Sequence, residues 1–222
     1  MQYLIDSANL SQIEKAFDLY PMYGVTTNPT LIAKENKEFL PLLCDIRQLI
    51  GDENILHVQV IAKQAEEMVK EALYLTSKIG GNLSIKIPVT EQGIKAIKLL
   101  KKEGIRTTAT AIFTADQALM AAVAGATYLA PYINRIDNIS GNGVQVAREI
   151  CTMIDHYQLD AKILAASFKN VQQVHEVALA GVHSITVNGE LLDELITHPL
   201  TDVGTEKFIK DWETTFGKKR IL

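Results

Sequence analysis

A lysine stands inside the run Leu83-Ser84-Ile85-Lys86-Ile87-Pro88-Val89, which is apolar and β-branched, with Gly80-Gly81 before it and Thr90-Glu91 after it. Flanked runs of this kind fold as buried strands, yet a protonated lysine is among the groups least often buried alone. Either Lys86 pairs with an acid or snorkels from the strand end, or its amine is neutral. Burial lowers a lysine pKa, toward roughly 7 to 8 in catalytic cases, and the freed lone pair can attack a ketone. The resulting iminium is an electron sink that permits cleavage or formation of the adjacent carbon–carbon bond.

Such chemistry also needs proton transfers and a grip on the substrate. Asp6, or a water held between Asp6, Gln59, Thr110 and Tyr132, is the candidate acid/base. Arg135, with Ser167 and Lys169, offers donors for a phosphate at the far end of a substrate. Thr26 and Asn28 end another apolar run, in Thr26-Thr27-Asn28-Pro29. Each has a purely structural explanation when taken alone: Asp6 or Asn28 as a cap, Thr110 as a plain strand residue, Tyr132 as a core aromatic, Arg135 as a partner of Asp137 only.

The elements that would position these residues follow from periodicity. Strands are predicted at 2–5, 23–26, 55–60, 83–87, 107–112, 128–131, 162–166 and 184–187. Stretches with apolar residues at helical spacing lie between them, such as Ala65-Met68-Val69-Ala72-Leu73 and Ile94-Ile97-Leu99-Leu100. Gly24, Gly104, Gly125 and Gly181 come shortly before strands, where a helix commonly ends on a left-handed residue. About eight βα units without a linker match a single parallel (β/α)8 barrel over residues 1–222. The rival is a doubly wound open sheet, but no G-x-G-x-x-G follows the first strand and no phosphate-binding G-x-x-x-x-G-K-[ST] occurs. Gly141-Asn142-Gly143 lacks the third glycine and reads as a turn and helix start.

Barrel side chains alternate between the interior and the helix layer, and catalytic groups sit at the C-terminal strand ends. Leu83, Ile85, Ile87 and Val89 share the helix-facing side, so Ser84 and Lys86 point inward. Leu56, Val58 and Val60 leave His57 and Gln59 inward, with Gln59 near the top. Asp6 follows Leu4, Thr110 follows Thr108, and Ser167 follows Ala165. The convergence of so many polar groups around one lysine wastes stability unless the site binds something polar.

Composition narrows the alternatives. The chain has 222 residues, 47% of them hydrophobic and 22% charged, and a net charge of -4. It offers no basic stripe for nucleic acid. No targeting segment or membrane span is apparent, so a cytosolic protein is expected. Cys44 and Cys151, in helical patterns and far apart, read as free buried thiols. The five histidines show no H-E-x-x-H or two-His-plus-carboxylate spacing, and no G-x-S-x-G elbow occurs, so neither a metal nor another cofactor is expected. After the eighth unit a helix is expected over 201–217, beginning at Thr201-Asp202 and carrying Phe208, Trp212 and Phe216 on one face. It lies either over its own barrel or on a neighbouring subunit.

The segments Leu4-Ile5-Asp6-Ser7-Ala8, Gly24-Val25-Thr26-Thr27-Asn28-Pro29-Thr30, Ile85-Lys86-Ile87-Pro88-Val89-Thr90, Ala130-Pro131-Tyr132-Ile133-Asn134-Arg135-Ile136-Asp137 and Leu164-Ala165-Ala166-Ser167-Phe168-Lys169 resemble the small transaldolase-like proteins. That group contains fructose-6-phosphate aldolases and short transaldolases, and the resemblance spans essentially the whole chain. It implies a class I aldolase with Lys86 as the Schiff-base residue and Asp6, Asn28, Thr110 and Ser167 lining the site. It implies Gln and Tyr, as at Gln59 and Tyr132, in aldolases, against Glu and Phe in transaldolases. On that basis Tyr132, with Gln59 and Thr110, is expected to hold a catalytic water that lets dihydroxyacetone leave. The substrates implied are fructose 6-phosphate and small hydroxyketones. The runner-up is a transaldolase moving the three-carbon unit to a second sugar, and a third reading is a phosphosugar-binding barrel without turnover. A decamer of two pentameric rings is implied, with the terminal helix reaching a neighbour. Thr30 departs from the Ser of some members, without consequence for the chemistry.

Overall fold

The eight β-branched runs form eight parallel strands, and the sheet they make closes on itself: β1 (Gln2–Asp6) pairs with both β2 (Met22–Thr26) and β8 (Ser184–Val187). Between them, in chain order, stand β3 (Ile55–Gln59), β4 (Leu83–Pro88), β5 (Thr107–Ile112), β6 (Tyr128–Pro131) and β7 (Lys162–Ala165). The computed structural model describes residues 1–218, 220 and 221. The (β/α)8 barrel is as expected from the sequence, and every predicted strand is present to within one residue at either end.

The helices follow from the same pattern. α1 (Leu10–Leu19) precedes β2, and β2 is followed by a short helix, α2 (Pro29–Lys34), and then α3 (Phe39–Ile50). The barrel continues with α4 (Ala65–Ile79), α5 (Glu91–Lys102) and α6 (Ala115–Ala124). A five-residue helix, α7 (Ile133–Asp137), then precedes α8 (Gly143–His156). α9 (Val171–Leu179), α10 (Gly189–Glu194) and α11 (Pro199–Phe216) complete the chain. In α4 the buried side is Ala65, Met68, Ala72, Leu75 and Ile79, while Leu73 of the predicted stripe is exposed. α8 begins at Gly143, at the turn and helix start expected of Gly141-Asn142-Gly143, and the Asn142 side chain caps it by accepting from the Gln145 N–H.

Two separate apolar cores result. The larger lies between sheet and helices and includes Leu56, Val58, Ile85 and Ile87, as alternation requires. The smaller fills one end of the barrel interior with Leu4, Ile55, Tyr128 and Leu164. Parallel strands covered on both faces read as nearly continuous apolar runs, so the inward polar residues stand out against them.

Three expectations need correction. Gly104, Gly125 and Gly181 end helices with φ of 70°, 106° and 89°, but Gly24 lies within β2 and has no left-handed backbone. Its role is close approach, since a Cβ there would sit 2.1 Å from the Ile55 carbonyl oxygen. Cys44 is exposed because it falls on the side of α3 away from Leu43, Ile46 and Ile50, and Cys151 is only partly buried because it falls at the edge of the α8 apolar face. α11 starts at Pro199 rather than Thr201: the His198 ring caps it, accepting from the Leu200 N–H at 3.2 Å, and proline suits a first helical position.

The aromatic face on α11 is real but does not cover its own barrel. No residue of that helix is buried, and Phe208, Trp212 and Phe216 are 73%, 38% and 58% exposed. Among the described residues, no helix is long and apolar enough to cross a membrane.

Candidate active site

Lys86 is 6% exposed and points into the barrel, opposite Gln59 of β3 and Thr108 of β5 in strand register. Its Nζ donates to the Thr27 carbonyl at 2.6 Å. Neither ion pair found among the described residues, Lys15–Asp193 and Lys95–Glu66, involves it. Burial pushes the amine below its ordinary value, and the Asp6 carboxylate pulls the other way without cancelling that effect. The snorkelling and ion-paired readings of this lysine are thereby removed.

Asp6 ends β1 on the same side. Its Oδ1 accepts from the Thr26 hydroxyl at 2.6 Å, and Thr26 Oγ1 lies 2.7 Å from Thr186 Oγ1. A hydroxyl has one proton. Thr26 spends that proton on the Asp6 oxygen, so Thr186 must donate to Thr26. Across the barrel Thr110 Oγ1 and Tyr132 Oη lie 3.0 Å apart. The Tyr132 ring is held edge-on by Phe113, with centroids 5.8 Å apart, and Arg135 stacks over it at 4.7 Å.

Short loops at the strand ends set the remaining groups. Asn28 caps α2, its Oδ1 accepting from the Leu31 N–H at 3.0 Å, and it also faces the site. Arg135 sits on α7 and is exposed. It does not pair with Asp137, whose carboxylate instead takes the Gly143 N–H at 2.7 Å and Gln173 Nε2 at 2.6 Å. That leaves the guanidinium facing the cavity.

Ser167 corrects the alternation argument. Leu164 belongs to the interior core and Ala165 to the helix-side core, so strict alternation would turn Ser167 outward with Ala165. Its φ of 63° breaks the alternation and brings it to the cavity instead. The β6 and β7 ends are tied together there, Ile133 N–H donating to the Ala166 carbonyl at 2.9 Å and Asn134 N–H to that of Ser167 at 2.8 Å.

A cavity of about 120 Å³ opens between these groups. Asp6, Thr26, Asn28, Lys86, Thr110 and Tyr132 line it, with Arg135 and Ser167 at its edge. The space suits a small polar molecule on Lys86, and anything longer must extend past Arg135 and Ser167.

Two expected members are elsewhere. Gln59 is at the predicted level but, as the last residue of β3, lines the adjoining groove of about 360 Å³ with Thr27, Asn28, Phe39 and Tyr74. Lys169 is exposed and does not line the cavity, because the turn at Ser167 sends the chain outward toward α9. Thr186 and the Thr27 carbonyl are present without having been expected. Alternation from Ser184 would have found Thr186, but a main-chain acceptor leaves no side-chain signal.

Below Lys86 lies a polar rung in which Thr108 Oγ1 is 2.7 Å from Ser84 Oγ and 2.8 Å from His57 Nδ1. Burial, with the Lys86 and Arg106 charges, holds His57 well below the ordinary imidazole value, so the ring is neutral. Among the described residues no three His, Cys, Asp or Glu side chains are grouped so as to hold a metal ion.

Comparison with known proteins places the chain in a family. Residues 3–219 match the family model described as transaldolase/fructose-6-phosphate aldolase. A protein of Thermodesulfovibrio yellowstonii named "Probable transaldolase" is 42% identical over 213 residues, covering 96% of this chain and 98% of its own. With a family match over nearly the whole chain and a relative of this similarity, the chain belongs to the transaldolase/fructose-6-phosphate aldolase family.

Proposed function

We propose that this chain reversibly cleaves fructose 6-phosphate into dihydroxyacetone and glyceraldehyde 3-phosphate through an imine on Lys86. The observation that carries this reading is the buried Lys86 amine, which forms no ion pair among the described residues and faces a small cavity of hydrogen-bonding groups. The amine lone pair attacks the ketone carbon, a proton passes to the carbonyl oxygen, and water leaves to give the iminium. Asp6, directly or through a water, takes the proton of the hydroxyl beyond the bond to be broken. That oxygen's electrons form the aldehyde, and the electrons of the carbon–carbon bond move into the iminium to give an enamine. Protonation of the enamine and addition of water then release dihydroxyacetone and restore the amine. Arg135 and Ser167 bind the phosphate as donors.

Borohydride added with dihydroxyacetone is expected to leave a stable mass on the peptide containing Lys86. Absence of that adduct removes the mechanism. Tyr132 supports the aldolase form, because its hydroxyl beside Thr110 can hold the water that frees the three-carbon unit. The transaldolase form is favoured by the name of the Thermodesulfovibrio relative and by the position of Gln59 outside the Lys86 cavity. Fructose 6-phosphate supplied alone separates them, since only an aldolase releases triose without an acceptor such as erythrose 4-phosphate. A sugar-phosphate-binding barrel without turnover would keep affinity in Lys86→Arg, whose guanidinium stays protonated, and would release no triose in the wild type.

The same reading has α11 lie against a neighbouring copy in a ring-shaped oligomer. Its support is an exposed stripe of Phe208, Trp212 and Phe216 on a helix with no buried residue. Trp212→Glu is expected to shift sedimentation toward smaller species. Unchanged sedimentation speaks against this role.

A further inference from the structure

Lys86 donates to one group, the Thr27 carbonyl oxygen, and that oxygen is fixed from both sides. Thr27 is fully buried, and its N–H and hydroxyl both donate to the His57 carbonyl, at 3.0 and 2.9 Å. On the other side Asn28 caps α2 with its side chain and Pro29 begins that helix, so the backbone leaving Thr27 has little freedom.

The choice of partner matters chemically. A carbonyl oxygen only accepts. It therefore takes a proton of the amine and leaves the lone pair open, whereas a hydroxyl in the same place could donate to the lone pair and quench it. The lysine stem is a flexible four-carbon chain, so a fixed acceptor decides which way the lone pair points. An iminium formed on Lys86 keeps one N–H, and the same carbonyl would hold its plane.

We propose that Thr27 is a positioning residue for Lys86. Its hydroxyl clamps to β3 the peptide that bears the acceptor carbonyl, and so aims the amine at the ketone. The proposal rests on the imine reading above, and it concerns the rate of imine formation rather than the affinity for a sugar phosphate.

The test mixes wild type, Thr27→Val, Thr27→Ala and Thr27→Ser with dihydroxyacetone and cyanoborohydride and follows the mass adduct on Lys86. Affinity for glucitol 6-phosphate, which has no carbonyl, is measured alongside by calorimetry. The valine and alanine variants are expected to label roughly tenfold more slowly, with that affinity kept within about twofold. The serine variant recovers most of the rate. Alanine decides the matter if valine, which puts a methyl against the His57 carbonyl, does not fold. Undiminished labelling in the valine or alanine variant overturns the proposal, and so does a serine variant as slow as alanine. A matching loss of sugar-phosphate affinity overturns it as well, because that marks general damage to the site. If the wild type itself gains no adduct, the imine reading falls and takes the proposal with it. If the wild type labels and the hydroxyl-free variants label equally fast, only the proposal falls.

Discussion

The two ends of the barrel interior are built by the same strands and serve opposite ends. At the floor Leu4, Ile55, Tyr128 and Leu164 pack into a closed apolar plug. Two residues further along β1 and β6, on the same inward side, stand Asp6 and Ala130 at the mouth, with Lys86 and Thr110 on neighbouring strands. A polar rung of Ser84, Thr108 and His57 lies between the two levels on β3, β4 and β5, while Leu164 of the plug also forms part of the cavity wall. The floor gains stability from burial, at about 25 cal/mol per Å² of apolar surface. The mouth spends stability on a buried amine and a left-handed Ser167. Function and stability are therefore separable by height in the barrel.

The largest expected effect tests the mouth. Lys86→Met should lower turnover by at least about a thousandfold, as loss of a covalent nucleophile does. The fold should survive, because methionine fills much the same space without a charge to desolvate. The stability comparison has a defined pH dependence. Lys86 has a lowered pKa in the folded state against an ordinary value of 10.5, so between those two values the unfolded chain binds more protons. Wild-type stability then gains a contribution as pH rises through that window. The methionine variant should be more stable than wild type below the window, and its advantage should shrink as pH approaches the upper value. Denaturant titrations at several pH values check this; a variant that is less stable throughout would make Lys86 part of the structural support.

Ile55→Ala makes the complementary cut at the floor. Ile55 is fully buried, and the substitution should cost roughly 2 to 5 kcal/mol. Turnover measured well below the unfolding transition should remain close to wild type. A floor variant with intact stability and damaged kinetics would erase the distinction between the two levels.

Much of this division is legible in the sequence, and the exceptions share a cause. Alternation places Lys86, Ser84, His57 and Leu4 correctly because strand period is fixed by backbone geometry. It fails at Ser167, where one positive φ reverses the facing, and serine does not advertise that as glycine would. Alternation gives Gln59 the right height, yet a flexible side chain at a strand end can lean to either side, and it lines the neighbouring groove. Thr27 contributes through its carbonyl, which every residue has. α2 and α7 are too short for a helical period to show, although Asn28-Pro29 marks the start of the first.

Tyr132→Phe sharpens what the mouth does with the fragment it holds. Removing the hydroxyl beside Thr110 should slow release of triose from fructose 6-phosphate by roughly tenfold to a hundredfold. Transfer to erythrose 4-phosphate should fall much less, because it does not need the fragment to leave as free ketone. Equal losses in both assays would assign the Tyr132 hydroxyl to a step common to the two reactions.

The smallest effect concerns the strain kept at the mouth. Ser167 holds φ at 63° without being glycine, a conformation that costs a side-chain-bearing residue about 1 kcal/mol relative to glycine. Ser167→Ala and Ser167→Gly both remove the hydroxyl, so both should raise the KM for fructose 6-phosphate by about tenfold while leaving labelling by dihydroxyacetone unchanged. They should part company in stability. Glycine relieves the left-handed cost but widens the unfolded ensemble, and at a positive φ the relief is the larger of the two terms. Alanine keeps the strain, so glycine should be the more stable of the pair by up to about 1 kcal/mol, the reverse of the usual order of these two residues. Thermal melts of the two variants under one condition decide it. Alanine more stable than glycine would mean that the turn is held by its neighbours at no local cost, and would remove Ser167 from the strain kept at the mouth.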